Sequence, residues 1–215
     1  MCFSTEASFT AALVLGATGG MTLKNSSFRS QFFLAAIPLL FAFQQLSEGT
    51  IWLHISQNIG SNTLFINAQR TFLIFAFLVW PIWIPLSFAS VEQVPWRRYL
   101  LYLNLACGTA LVLLNLSFAA NQNPSVQVVN HSLQYIGIAP SQNLIYPLIV
   151  LLPCFLSSLK SVWIFGIFIL FAYMIADYFY ETTFVSVWCF FAAIVSLSIY
   201  KILKDNPYFL ESNSS

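Results

Sequence analysis

The side chains able to do chemistry in this chain sit largely inside apolar sequence. Glu48 lies in QFFLAAIPLLFAFQQLSEGTIWLHIS, residues Gln31–Ser56, just behind Gln44 and Gln45. Gln45, Glu48 and Trp52 recur at i, i+3 and i+7, which is one face of a helix. A carboxylate in hydrocarbon is costly, by about 2.5–3.5 kcal/mol on insertion scales, unless it is neutral, paired or wet. Arg70 stands in the following apolar run, Thr63–Ser90, and shares a helical face with Asn67 and Ile74. The short polar link between the two runs centres near Asn58–Gly60, so Glu48 and Arg70 lie almost equally far from it. In an antiparallel helix hairpin they come to the same depth, and the spacing predicts a buried Glu48–Arg70 pair. Asp177 falls about one turn from the end of a later apolar run, beside Tyr173, Tyr178 and Tyr180.

Two chemistries follow from this set. In one, Glu48, Arg70 and Asp177 line a pocket, with Gln44, Gln45 and Asn67 as hydrogen-bonding partners. In the other, Glu48–Arg70 is a tie between helices, whose rupture costs about 3–5 kcal/mol whether or not the site binds anything. His54 and His131 add imidazoles to the acids, but no HExxH or paired-histidine spacing is present, so no metal site is assigned. The cysteines, Cys2, Cys107, Cys154 and Cys189, show neither metal-ligand spacing nor a disulfide framework. Cys107 and Cys154 read as small buried apolar residues. No cofactor is specified.

The elements that position these groups are membrane helices. Charged residues make up only 7% of the 215 and hydrophobic ones 59%, and the mean hydropathy is +0.78. A soluble surface cannot be covered with so few charges, whereas a bilayer solvates an apolar exterior. The net charge of +1 excludes bulk attraction to nucleic acid. Hydropathy predicts an all-α, polytopic bundle with about seven transmembrane helices, near residues 4–23, 31–56, 63–90, 99–120, 143–156, 161–180 and 182–203. These form one domain over residues 1–204, followed by a polar tail at 205–215. Gly16, Gly19 and Gly20 weaken the first span, and Pro81 and Pro85 in WPIWIP should kink or break the third. The one long link, Asn121–Ser141, has valines and aromatics on both sides of Asn130–His131, which suggests a short hairpin on the membrane surface.

Lys24, Arg29, Arg97, Arg98, Lys160, Lys201 and Lys204 occupy alternate links and the C-terminal end. That alternation predicts an external N-terminus and a cytoplasmic C-terminus. Glu6, Glu48, Asp177, Glu181, His54, His131 and Arg70 then fall on the outer side.

Met1-Cys2-Phe3-Ser4, Ala7-Ser8-Phe9, Ala35-Ala36-Ile37-Pro38-Leu39-Leu40-Phe41, Gln45, Glu48-Gly49 and Trp52 carry a resemblance. So do Trp80-Pro81-Ile82-Trp83-Ile84-Pro85-Leu86-Ser87 and Ser186-Val187-Trp188-Cys189-Phe190-Phe191-Ala192-Ala193. Together they resemble an uncharacterised family of bacterial multi-pass membrane proteins that begin Met-Cys-Phe-Ser. The resemblance implies a bacterial inner-membrane protein of about seven helices and implies no activity. It also singles out Cys2, which removal of Met1 would leave as an N-terminal amine and thiol.

The expected function is an integral membrane protein with an outward-facing polar pocket. Glu48, Arg70, Asp177, Gln44, Gln45, Asn67, Cys2 and His131 are its candidate residues, and it binds, transports or senses a small molecule or ion. The alternative is a membrane-embedded enzyme, such as a metal-dependent hydrolase working near the outer face; the third reading is a structural subunit. Composition and motifs do not decide whether the chain is an enzyme.

Overall fold

The structure, a computed structural model, describes residues 4–26, 29–119, 125–136 and 144–206. Cys2, most of the 205–215 tail and parts of the Asn121–Ser141 link lie outside the described residues.

Helix α1, Thr5–Asn25, is capped by Ser4, whose hydroxyl accepts from the Ala7 amide at 3.2 Å. It packs along α3, Ile37–Gln57. The two run antiparallel, since Thr5 meets Ser56 at one end and Gly19 meets Leu39 at the other. A Cβ on Gly19 would lie 2.6 Å from the Leu39 nitrogen. Of the three glycines that weaken this run as an apolar span, Gly19 is therefore where the two helices close on each other, whereas Gly20 meets nothing within 4 Å. Helix α2, Phe32–Ala35, precedes α3. The break between them sits at Ala36, two residues before Pro38, and the Trp83 indole donates to the Phe33 carbonyl there at 2.9 Å. Helix α3 ends at Asn58, in the left-handed region at φ 55°. Gly60 at φ 101° completes the turn.

The next span is α4, Asn62–Ile74, a π-helical turn at Phe75–Val79, and α5, Trp80–Val91. Pro81 has no N–H, and its ring crowds the carbonyl four residues back. The distortion is taken up by the wider π turn just ahead of it. The Tyr146 hydroxyl donates to the Ala76 carbonyl inside that turn. Helix α6, Pro95–Ala119, passes so close that a Cβ on Gly108 would sit 2.0 Å from the Pro81 oxygen. The expected kink is thus a π turn with intact helix on both sides, packed backbone to backbone against α6.

Strands β1, Ser125–Val129, and β2, Ser132–Ile136, pair antiparallel with Val129 opposite Ser132. Asn130 and His131, at φ 47° and 59°, form the two-residue turn, as a type I′ hairpin requires. The hairpin foreseen from the valines is present, but it does not lie passively on a surface. Leu133 is fully buried, and the Tyr135 ring stacks on Phe72 with centroids 4.7 Å apart.

Helix α7, Ile145–Leu156, is short; α8, Val162–Phe179, follows, and a 3-10 turn at Glu181–Thr183 leads into α9, Phe184–Ser196, and α10, Ile199–Asp205. The fold is mostly helical. Among the described residues five helical segments are long and apolar enough to cross a membrane: Phe32–Gln57, Asn62–Val91, Pro95–Leu116, Val162–Phe179 and Glu181–Asp205. Helix α1 has the length but not the apolarity. Helix α7, at 12 residues, covers only about 18 Å of a hydrocarbon core about 30 Å thick.

One end of the bundle is tied by polar contacts. The Ser90 hydroxyl donates to the Ser30 carbonyl at 2.7 Å, and the Lys160 amide donates to Asn206 Oδ1 at 2.9 Å. Glu92, only 1% exposed, accepts from the Ser158 amide at 2.7 Å and its hydroxyl at 2.6 Å, and from the Val94 amide at 2.9 Å. Burial alone would raise the Glu92 pKa. The Ser158 and Val94 donors, with the Arg97 charge nearby, outweigh it and hold the carboxyl below its ordinary value. The opposite end carries the α3–α4 turn, the start of α1, the hairpin and the 3-10 turn.

Candidate functional site

Glu48 projects from α3 into the bundle and is 0% exposed. Its side-chain partners come from its own helix and from α9: Gln45 Nε2 donates to Oε2 at 3.1 Å, and the Ser186 hydroxyl donates to Oε1. Gln44, one residue before Gln45, points toward α5, where the Trp80 indole donates to its Oε1 at 2.9 Å. Its amide also lies against the Cys189 thiol. Gln44 and Gln45 are fully buried. Two glutamines and a glutamate within five residues on one helix thus reach both α5 and α9.

The pair expected from spacing is not formed. Arg70 is exposed on α4, and Asn67 beside it is exposed too. The residue that α4 turns inward is Gln69, 1% exposed, next to Ala68, Phe72 and Leu73. Asp177 is exposed on α8, and His131 is exposed at the tip of the hairpin. The structure therefore gathers Glu48, Gln44 and Gln45 of the candidate set and leaves Arg70, Asn67, Asp177 and His131 on the outside. Cys2 lies outside the described residues. Cys154 is buried as expected, whereas Cys107 is exposed on α6. Among the described residues no group of three His, Cys, Asp or Glu side chains is placed to hold a metal ion.

Ser186, Trp80 and Gln69 were missed by sequence reasoning. Ser186 sits in an apolar run as a lone hydroxyl, with nothing in its own spacing to distinguish it. Gln69 carried a signal: Ala68, Phe72 and Leu73 form the apolar stripe of α4, and Gln69 falls inside it.

Among the described residues several buried side-chain atoms have no hydrogen-bond partner, among them Ser8 Oγ on α1, Gln45 Oε1 and His54 Nδ1 on α3, Gln69 Oε1 on α4, Ser132 Oγ on β2 and Trp188 Nε1 on α9. The hairpin and the 3-10 turn enclose a small cleft of about 40 Å³, lined by Leu133, Tyr135, Glu181, Thr183 and Val185 among others. The last of these is the neighbour of Ser186.

A mostly helical, apolar chain with helices long enough to cross a membrane thus buries one glutamate of α3 among hydrogen-bond donors from α3 and α9. The chain belongs to a family of unknown function, DUF6629, whose match covers residues 1–212. No curated protein and no solved structure matches it.

Proposed function

We propose that this is a seven-helix integral protein of the bacterial inner membrane, with its N-terminus outside and its C-terminus in the cytoplasm. In this reading the Glu48 site, entered from the outer side, binds a small ion or molecule for transport or sensing. The observation that carries the reading is the fully buried Glu48 carboxylate, which has two hydrogen-bond donors and no cationic side chain on it among the described residues. A permanently charged, uncompensated group in such a place costs several kcal/mol, so a proton, a ligand or another charge of the protein has to balance it. A membrane protein that keeps an ionisable group at depth keeps it for that exchange.

Sidedness is supported by the cations. Arg97 reaches the Leu156 carbonyl at 3.4 Å, and Lys160 adjoins Asn206, so these basic links share the end tied by Glu92. The hairpin lies at the other end, the outer one. Glu48 lies nine residues before the end of α3, about 14 Å below that face. Seven spans require α1 to cross while sheltered by α3, and α7 to cross with help from residues preceding it.

The test is labelling with a membrane-impermeant maleimide in a background without native thiols. A cysteine at position 131 should be labelled on intact cells, and one at position 96 only after lysis. The reverse pattern would overturn the orientation and the external access to Glu48.

A further inference from the structure

We infer that the cleft beneath the hairpin is a second binding site, which takes a primary ammonium group on a short carbon chain, from a free amine or from an ethanolamine lipid headgroup. The cleft forms where β2 packs on the 3-10 turn and on α9. Phe77 of the π turn, Tyr135 of β2 and Phe184 of α9 give it aromatic walls, and Glu181, Thr182 and Thr183 of the 3-10 turn give it polar ones.

Glu181 is the one charged side chain in this lining, and no lysine, arginine or histidine belongs to it. The charge that the cleft favours is therefore positive. A hard metal cation wants about six or more oxygen ligands, which one carboxylate and two threonine hydroxyls do not supply. A primary ammonium needs less. Its three N–H groups are matched by the carboxylate and the hydroxyls as acceptors, and its methylenes belong against the aromatic side chains. A quaternary ammonium has no N–H to give.

Size narrows the choice further. The cleft holds about 40 Å³, which is room for roughly three water-sized groups. That is one nitrogen and two carbons, the end of an ethanolamine. Tyr178 and Phe179, 82% and 70% exposed, stand just before the 3-10 turn as interfacial aromatics do. The lipid source rests on the membrane reading, which puts this end of the bundle at the outer headgroups; the free amine does not rest on it.

The experiment is thermal unfolding of the purified full chain at pH 7 and fixed ionic strength. In detergent, NaCl is replaced stepwise by ethanolamine hydrochloride or by choline chloride. The expected result is a saturable rise in Tm with ethanolamine alone, of about 3 °C at ten times its Kd. In nanodiscs of equal anionic lipid content, phosphatidylethanolamine in place of phosphatidylcholine should also raise Tm. Glu181 is exposed, so Glu181→Gln should fold as the parent does and lose both responses. Thr182→Phe, also at an exposed position, should fill the cleft and abolish them too, and it decides alone should Glu181→Gln fail to fold. A response to ethanolamine only, lost in the variants, assigns the site to a free amine; a lipid response only, lost in the variants, assigns it to a headgroup. No variant-sensitive response in either arm overturns the proposal, and so does a rise with choline equal to that with ethanolamine. The labelling experiment tests the Glu48 reading separately, so either can fail without the other.

Discussion

Among the described residues two glutamates are buried, and they are held in different ways. Glu92, at the basic end, is 1% exposed and has a donor for each lobe of its carboxylate: the Val94 amide and the Ser158 amide and hydroxyl. It closes the turn between α7 and α8 onto the start of α6. Glu48, in the bundle, is 0% exposed and has one donor on each oxygen, the Gln45 amide and the Ser186 hydroxyl. The first carboxylate is held by three donors, two of them backbone amides; the second is held by two side chains alone.

Removing each carboxylate tests that contrast. The largest effect is expected at Glu92→Ala, which strands the buried Ser158 and Val94 donors. Stability should fall by about 3 kcal/mol, at about 1–3 kcal/mol for each donor left unsatisfied, read by chemical denaturation in detergent. The next is acid. Because the folded Glu92 carboxyl lies below its ordinary value of 4.5, its contribution is present above that value and lost as the pH falls through the lower, folded one. An unfolding series below pH 4.5 should show the parent losing stability that Glu92→Gln never had. Glu48→Gln should then cost no more than about 1 kcal/mol, since a neutral amide replaces a buried charge. A loss as large as that at Glu92 would erase the distinction. The smallest is Arg70→Gln, expected within about 0.5 kcal/mol of the parent because the side chain is exposed. A loss of 3 kcal/mol there would restore the discarded pair.

The misplacement of Arg70 has a physical source. Equal distance from the Asn58–Gly60 turn set its depth, but depth does not say which way a side chain faces on its helix. Gln69, one residue earlier, falls in the buried stripe with Ala68, Phe72 and Leu73, and Arg70 falls outside it. The apolar stripe of α4 contained the right answer locally. Glu48, Gln44 and Gln45 were legible because polar residues clustered in an otherwise apolar helix stand out by type. Ser186 was not, because a single serine is cheap to bury and its partner is far away in the chain. The hairpin was legible from valines flanking Asn130–His131, and its burial was not, since Leu133 carries no mark of what it packs on.

The Glu48–Ser186 contact also sets an order in time. Its two residues are 138 apart in the chain. At roughly 5–20 residues per second, α3 leaves the ribosome roughly 7–28 s before Ser186 exists. On the proposed membrane reading, Glu48 enters the bilayer with only Gln45 to hold it, and it must cross that interval as the neutral acid. The site therefore closes among the last steps of biogenesis, when α9 arrives. A chain truncated before α9 would leave an acidic flaw in α3 for quality control to find.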